Sequence, residues 1–175
     1  MPLNGSWLGF AAAACAASAV LALAIWVSAH VHPDPVLRNV ALFVHLASLV
    51  LGFGAVLVAD YFIILWVIRR FTFAEAIGGV ARLQMPIWIG LLGLVLSGVL
   101  LNPDLAGGMT RVKLVFIALL TLNGLQATIL GRRMEASAGE LSVQLLIWGA
   151  VTTTVSQVCW WGSVWIGFWN ASSTL

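Results

Sequence analysis

The chain has 175 residues, of which 62% are hydrophobic and only 8% are charged, and its mean hydropathy is +1.06. A water-soluble domain carries about 25% charged residues because its surface must be hydrated, so this composition excludes an ordinary soluble protein. The net charge of +2 comes from eight basic and six acidic residues, which excludes the dense basic face of a nucleic-acid-binding protein. We therefore expect one α-helical domain, residues 1–175, embedded in a lipid bilayer.

Five apolar segments are predicted to cross the membrane, whose hydrocarbon core of ~30 Å needs about 20 helical residues. They are residues 7–29, 39–68, 83–101, 114–130 and 141–169. Helices are expected because lipid does not tolerate an unpaired strand edge. The short connections predict antiparallel neighbours. The predicted fold class is an all-α, polytopic bundle of five transmembrane helices.

The first segment resembles a secretory signal peptide in one respect, its small-residue sequence Val27-Ser28-Ala29. It has no Lys or Arg before Trp7, however, and it is longer than the apolar region of a signal peptide. We interpret it as a retained membrane helix.

The basic residues predict the orientation. The second and fourth connections carry Arg69, Arg70, Arg82, Arg132 and Arg133, whereas the first and third carry Arg38, Arg111 and Lys113. Positive charge favours the cytoplasmic side. We therefore expect the N-terminus inside and the C-terminus outside, in the cytoplasmic (inner) membrane.

Small residues recur on the predicted helices at alternating steps of four and three, which places them on one face of each helix. The rows are Ala41, His45, Ser48, Gly52, Ala55 and Ala59; Pro86, Gly90, Gly93 and Ser97; Thr121, Gly124, Thr128 and Gly131; and Thr152, Ser156, Cys159 and Ser163. Because helices in lipid associate through close backbone approach, we interpret the rows as contact faces rather than as a pore lining. His45 is then expected to point into the bundle.

Asp60 and His45 are the ionisable residues inside the predicted spans, ~22 Å apart along one helix. Asp60 is either satisfied by hydrogen bonds or carries protons. Gln126 lies at a similar predicted depth, and Arg82 could reach inward. Asn123 and Gln126 are expected to bond across helices.

His45 has two interpretations, an inter-helical hydrogen bond or a ligand for haem b or copper. His30 and His32 are the candidate co-ligands near the same membrane face. Met109 and Cys159 are candidate supporting ligands, although Cys15 and Cys159 are first interpreted as packing residues because they form no CxxC motif.

Arg38, Arg111 and Lys113 have two interpretations as well. They extend toward the interface as long basic side chains do, or they neutralise haem propionates or an anionic lipid headgroup. The chain has no catalytic triad, phosphate loop, dinucleotide fingerprint or zincin motif, so a stand-alone enzyme is not favoured.

Three segments together resemble the copper-resistance membrane protein D (CopD) family over residues 42–133. They are His45-Leu46 followed by Gly52 and Gly54, Arg82 with a helix closing on Ser97-Gly98, and Arg111-Val112-Lys113 with Asn123 and Arg132-Arg133. That family is associated with copper handling and is related to four-helix haem b cytochromes. Such cytochromes hold each haem between histidines of two helices, whereas only His45 lies within a predicted span here. The resemblance therefore implies one haem at most.

The resulting hypothesis is a small integral membrane protein that binds copper or one haem b near the outer face, in copper handling or membrane electron transfer. The alternative is a non-catalytic accessory or scaffold subunit of a larger membrane complex. Expected partners are the lipid bilayer and other membrane subunits or a second copy, without nucleic acid. A transporter or proton path through Asp60 is less favoured because no inverted repeat is evident.

Overall fold

The computed structural model describes residues 4–137 and 142–172, and within them the chain forms five helices. They are α1 Asn4–His30, α2 Pro35–Val67, α3 Phe73–Val99, α4 Gly108–Ala136 and α5 Val143–Ser172. The predicted all-α class is confirmed for these residues. Leu141, the predicted start of the last segment, lies outside the described residues.

Four of the described helices, α1 from Leu8 onward, α2, α3 and α4, are each long and apolar enough to cross a membrane. The protein is therefore a multi-pass helical membrane protein. Helix α5 is 30 residues long and has no Asp, Glu, Lys or Arg. Its two Gln and the run Thr152-Thr153-Thr154 lower its hydropathy.

Helices α2 and α3 begin earlier than hydropathy predicts because polar residues cap them. Asp34 accepts hydrogen bonds from the backbone N–H groups of Val36 and Leu37, both at 2.9 Å, and so begins α2 before residue 39. Thr72 and Glu75 form a capping box that begins α3 ten residues before the predicted segment. The connections predicted at residues 30–38 and 69–82 are correspondingly shorter.

Helices α2 and α3 pack together along the predicted rows of small residues. A Cβ atom added to Gly52 would lie 3.1 Å from the Cα atom of Gly90, and one added to Gly90 would overlap Gly52. One turn away, a Cβ atom on Gly93 would overlap the Ser48 hydroxyl. Such close contact is the main source of packing between helices in lipid. The prediction of contact faces is confirmed for these two helices.

Helices α2 to α5 form a four-helix bundle, and α1 packs against α3 and α4. Gln84 of α3 donates a hydrogen bond to Thr128 of α4 at 2.7 Å. Phe53 of α2 stacks on Trp160 of α5 with 5.7 Å between the ring centroids. All four helices contribute to one buried core, which contains Val56, Leu91, Leu120, Cys159 and Trp160.

The two ends of the bundle differ in their polar residues. We call the end where α2 and α4 finish the arginine side, because it carries Arg69, Arg70, Arg132 and Arg133. We call the opposite end, with His30, His32 and the α3–α4 connection, the histidine side.

Candidate functional site

His45 is hydrogen-bonded to the neighbouring helix. Its Nδ1 atom lies 2.9 Å from the Ser97 hydroxyl of α3, and that hydroxyl donates its proton to the Gly93 carbonyl. In the neutral tautomer whose Nδ1–H donates to Ser97, Nε2 carries a lone pair. No described residue donates a hydrogen bond to Nε2. The predicted inter-helical hydrogen bond is confirmed, and Nε2 is the atom that could bind an ion.

The other predicted ligands have separate surroundings. His30 donates through Nδ1 to a backbone carbonyl one turn earlier in α1, at 2.7 Å. His32 is exposed in the α1–α2 connection, and Met109 is 48% exposed. Cys159 belongs to the buried core. Within the described ranges no three His, Cys, Asp or Glu side chains gather as metal ligands, so copper binding and a two-histidine haem site stay predictions.

The basic residues near the histidine side differ in their surroundings. Arg38 is exposed on α2, and Arg111 donates through Nε to the Leu105 carbonyl at 3.2 Å. Lys113 is half-buried and close enough to His45 for the two groups to interact electrostatically. Neutralisation of a haem propionate or lipid headgroup by these residues stays a prediction.

A cavity of about 740 Å³ lies between α2, α3, α4 and α5, in the half of the bundle toward the arginine side. It follows α2 from Val56 to Trp66 and α4 from Leu120 to Glu135. Pockets for small organic ligands have volumes of about 300–1,000 Å³, so the cavity is large enough for such a ligand.

The small-residue rows change their role in this half of the bundle. Several members that we predicted to lie in helix contacts also line the cavity, namely Ala59, Thr128, Gly131, Thr152 and Ser156, and two of them, Thr128 and Thr152, are hydrogen-bonded to a neighbouring helix as well. In this half of the bundle the rows therefore take part both in helix contacts and in the lining of the cavity. Helices with short side chains that are not in close contact leave space between them, and this space is the cavity.

Asp60 lines the cavity and is held by α5. The side-chain amide of Gln157 donates a hydrogen bond to Oδ2 of Asp60, and the Gln157 carbonyl accepts one from Trp161 Nε1 at 3.1 Å. Among the residues that the structure describes, none donates to Oδ1 and none forms an ion pair with the carboxylate. We predicted Gln126 and Arg82 as its neighbours, but its partner is Gln157.

Asn123 and Gln126 join α4 to α5. Asn123 Nδ2 donates to the Thr152 carbonyl at 2.9 Å, and Gln126 Nε2 donates to the Thr152 hydroxyl at 3.4 Å. The predicted bonding across helices is confirmed. These bonds hold the two helices together at the level where Asn123 lines the cavity.

The rest of the cavity wall is largely aromatic and aliphatic. Four aromatic side chains line it, Trp66, Phe73, Trp88 and Trp160. Its arginine-side end carries Arg132 and Glu135, both exposed.

The described residues thus present two candidate sites, the cavity with Asp60 and the Nε2 atom of His45. No protein-family model matches the chain, and neither does any curated protein or solved structure.

Proposed function

We propose that this protein binds a small organic molecule within the membrane, in the cavity between α2, α3, α4 and α5. The observation that carries the proposal is Asp60, an ionisable residue inside a membrane helix that lines a cavity of about 740 Å³. Ionisable residues in membrane helices are costly, and they usually face a bundle interior or cavity on a substrate path. The wall combines apolar area with a few polar groups, as ligand sites do.

We further propose that α5 is a fifth transmembrane helix. It carries no charged residue over its 30 residues, and it bonds to Asp60 and Asn123 of the bundle. The excess of arginine on the arginine side favours a cytoplasmic location for that side. With five spans, the N-terminus would then lie inside and the C-terminus outside, in the cytoplasmic membrane. The ligand would then enter from the cytoplasm or the adjacent leaflet.

Filling the cavity tests the binding proposal. Gly131 lines the cavity, and a Cβ atom added there meets nothing within 4 Å, so the side chain of a Gly131→Phe variant has room to enter it. Suitable probes are three aromatic molecules of similar size: naphthylmethylammonium, naphthylmethanol and naphthoate. We expect at least one to bind the protein in nanodiscs above the level of empty nanodiscs. Gly131→Phe should weaken that binding about tenfold or more in equilibrium dialysis.

Gly54 provides the matched control. A Cβ atom at Gly54 also meets nothing within 4 Å, but the residue does not line the cavity. Gly54→Phe should therefore bind the probes as the unmodified protein does. Equal binding by Gly131→Phe and the unmodified protein, or no binding of any probe, would contradict the proposal.

The free Nε2 atom of His45 favours a second candidate function, the binding of one haem b for membrane electron transfer. Metal-bound histidines usually donate their other ring N–H to a fixed acceptor, as Nδ1 of His45 does to Ser97. His45 would hold the iron, which supplies one-electron chemistry, and Lys113 would balance a propionate. Copper handling, and assembly with other subunits or a second copy, stay predictions.

The visible spectrum and iron content of the purified protein test this second candidate. We expect a Soret band that is lost in His45→Ala and kept in both His30→Ala and His32→Ala. No described contact brings the side chain of His30 or His32 to Nε2 of His45. Loss of the band in His30→Ala or His32→Ala would instead favour the two-histidine site. A colourless preparation without iron would exclude this function.

A further inference from the structure

Two amide carbonyl oxygens in the polar lining of the cavity are free to accept hydrogen bonds. The hydroxyl protons of Thr128 and Thr154 are donated to backbone carbonyls of their own helices, at 2.9 and 2.8 Å. Gln84 and Asn123 each use an amide N–H in a bond to another helix, whereas their carbonyl oxygens accept no hydrogen bond from any described residue. A ligand that donates hydrogen bonds would satisfy these oxygens.

The charged groups of the lining are predominantly acidic. Of the described residues, those that line the cavity and carry a charge are Asp60, Glu135 and Arg132. Arg132 and Glu135 are exposed at the arginine-side end, and Asp60 lies deeper, ~10 Å along α2 from its end at Val67. Gln157 occupies only Oδ2 of Asp60. An intramembrane carboxylate is expected to have a cationic partner, and no described side chain supplies one.

The aromatic wall suits the same kind of ligand. Trp66, Trp88 and Trp160 belong to three different helices and all line the cavity. Indole rings bury large apolar areas, and their faces attract cations. An aromatic or lipophilic amine combines apolar area with a positive charge and N–H donors.

We infer that the ligand of this cavity is a lipophilic organic cation whose ammonium group pairs with Asp60. This inference rests on the proposed function and specifies its substrate class. Oδ1 of Asp60 would accept an N–H of the ammonium group, and the Trp side chains would contact the apolar body.

The probe series described above also tests the substrate class. Naphthylmethylammonium should bind the protein in nanodiscs about 10- to 100-fold more tightly than naphthylmethanol or naphthoate, because charged hydrogen bonds are the stronger ones. Asp60→Asn should abolish most of that preference, with naphthylmethanol binding changed less than about twofold. The Asn carbonyl can still accept the bond from Gln157, and an unchanged circular dichroism spectrum and unfolding midpoint would show that the variant folds.

Asp104→Asn removes the same charge from the α3–α4 connection on the histidine side and should leave the preference intact. An equal loss in Asp104→Asn and Asp60→Asn would mean that overall charge, not the Asp60 pair, governs binding, and would overturn the inference. The inference would also be overturned if naphthylmethanol or naphthoate bound as tightly as the ammonium probe. If Gly131→Phe still weakened that binding, the proposed function would stand. Absence of binding by all three probes would overturn both.

Discussion

Gly90→Leu is expected to force α2 and α3 apart where they cross and to destabilise the folded protein strongly. Even a Cβ atom at Gly90 would overlap the backbone of Gly52 and the Ser48 carbonyl. Backbone atoms cannot rotate aside as the end of a side chain can, so the two helices must separate. We expect the free energy of unfolding to fall by ~3 kcal/mol, because most of the packing between α2 and α3 would be lost. Thermal unfolding of the purified protein, followed by circular dichroism, measures this.

Gly54→Leu is the control for this substitution. It makes the same change in the partner helix α2, where a Cβ atom meets nothing within 4 Å. Because Leu favours a helix more than Gly does, by up to ~1 kcal/mol, its unfolding midpoint should equal or exceed that of the unmodified protein. A midpoint for Gly90→Leu close to that of the unmodified protein would mean that α2 and α3 do not cross at Gly52 and Gly90.

The α2–α3 contact could be predicted from the sequence because it depends on a local property, the periodicity of small residues. The rows that contain Gly52 and Gly90 each have helical spacing, and the two rows belong to consecutive helices joined by a short connection. Short connections leave antiparallel packing as the simplest arrangement. The orientation of His45 followed from its position in the same row, and its bond to Ser97 confirms that orientation.

The ends of the helices could not be predicted from hydropathy, since hydropathy reports which residues suit hydrocarbon and not where a helix begins. Helix α3 begins at Phe73 because Thr72 and Glu75 cap it. The sequence Thr-x-x-Glu is itself a signal for a helix start. The early start of α2 has the same kind of signal, Asp34 followed by Pro35.

The partner of Asp60 and the cavity could not be predicted, because both depend on which distant helix lies next to α2. A periodic row identifies the face of one helix but not its neighbour. Gln157 lies 97 residues from Asp60 in the chain, and depth alone favoured Gln126 instead. A row of small residues also looks the same in sequence whether the facing helix contacts it, as at Gly52, or stands away from it, as at Gly131.

Trp160→Ala is expected to destabilise the bundle by ~3 kcal/mol, the cost of a large core truncation. Trp160 is 2% exposed, stacks on Phe53, and lies over Gly52 at the α2–α3 crossing. The described contacts between α5 and α2 are made by side chains, so loss of this ring leaves a void and removes much of what joins the two helices. Unfolding of the protein by dodecyl sulfate in mixed micelles, followed by circular dichroism, would measure the change.

Trp165→Ala is the matched control on the same helix. Trp165 is 62% exposed, so in the membrane lipid can fill the space that its ring leaves, and we expect a change of less than ~0.5 kcal/mol. The difference between the two variants should therefore come from packing, because both lose the same side chain. Equal destabilisation by the two substitutions would contradict this arrangement of α5, and with it the wall that α5 contributes to the cavity.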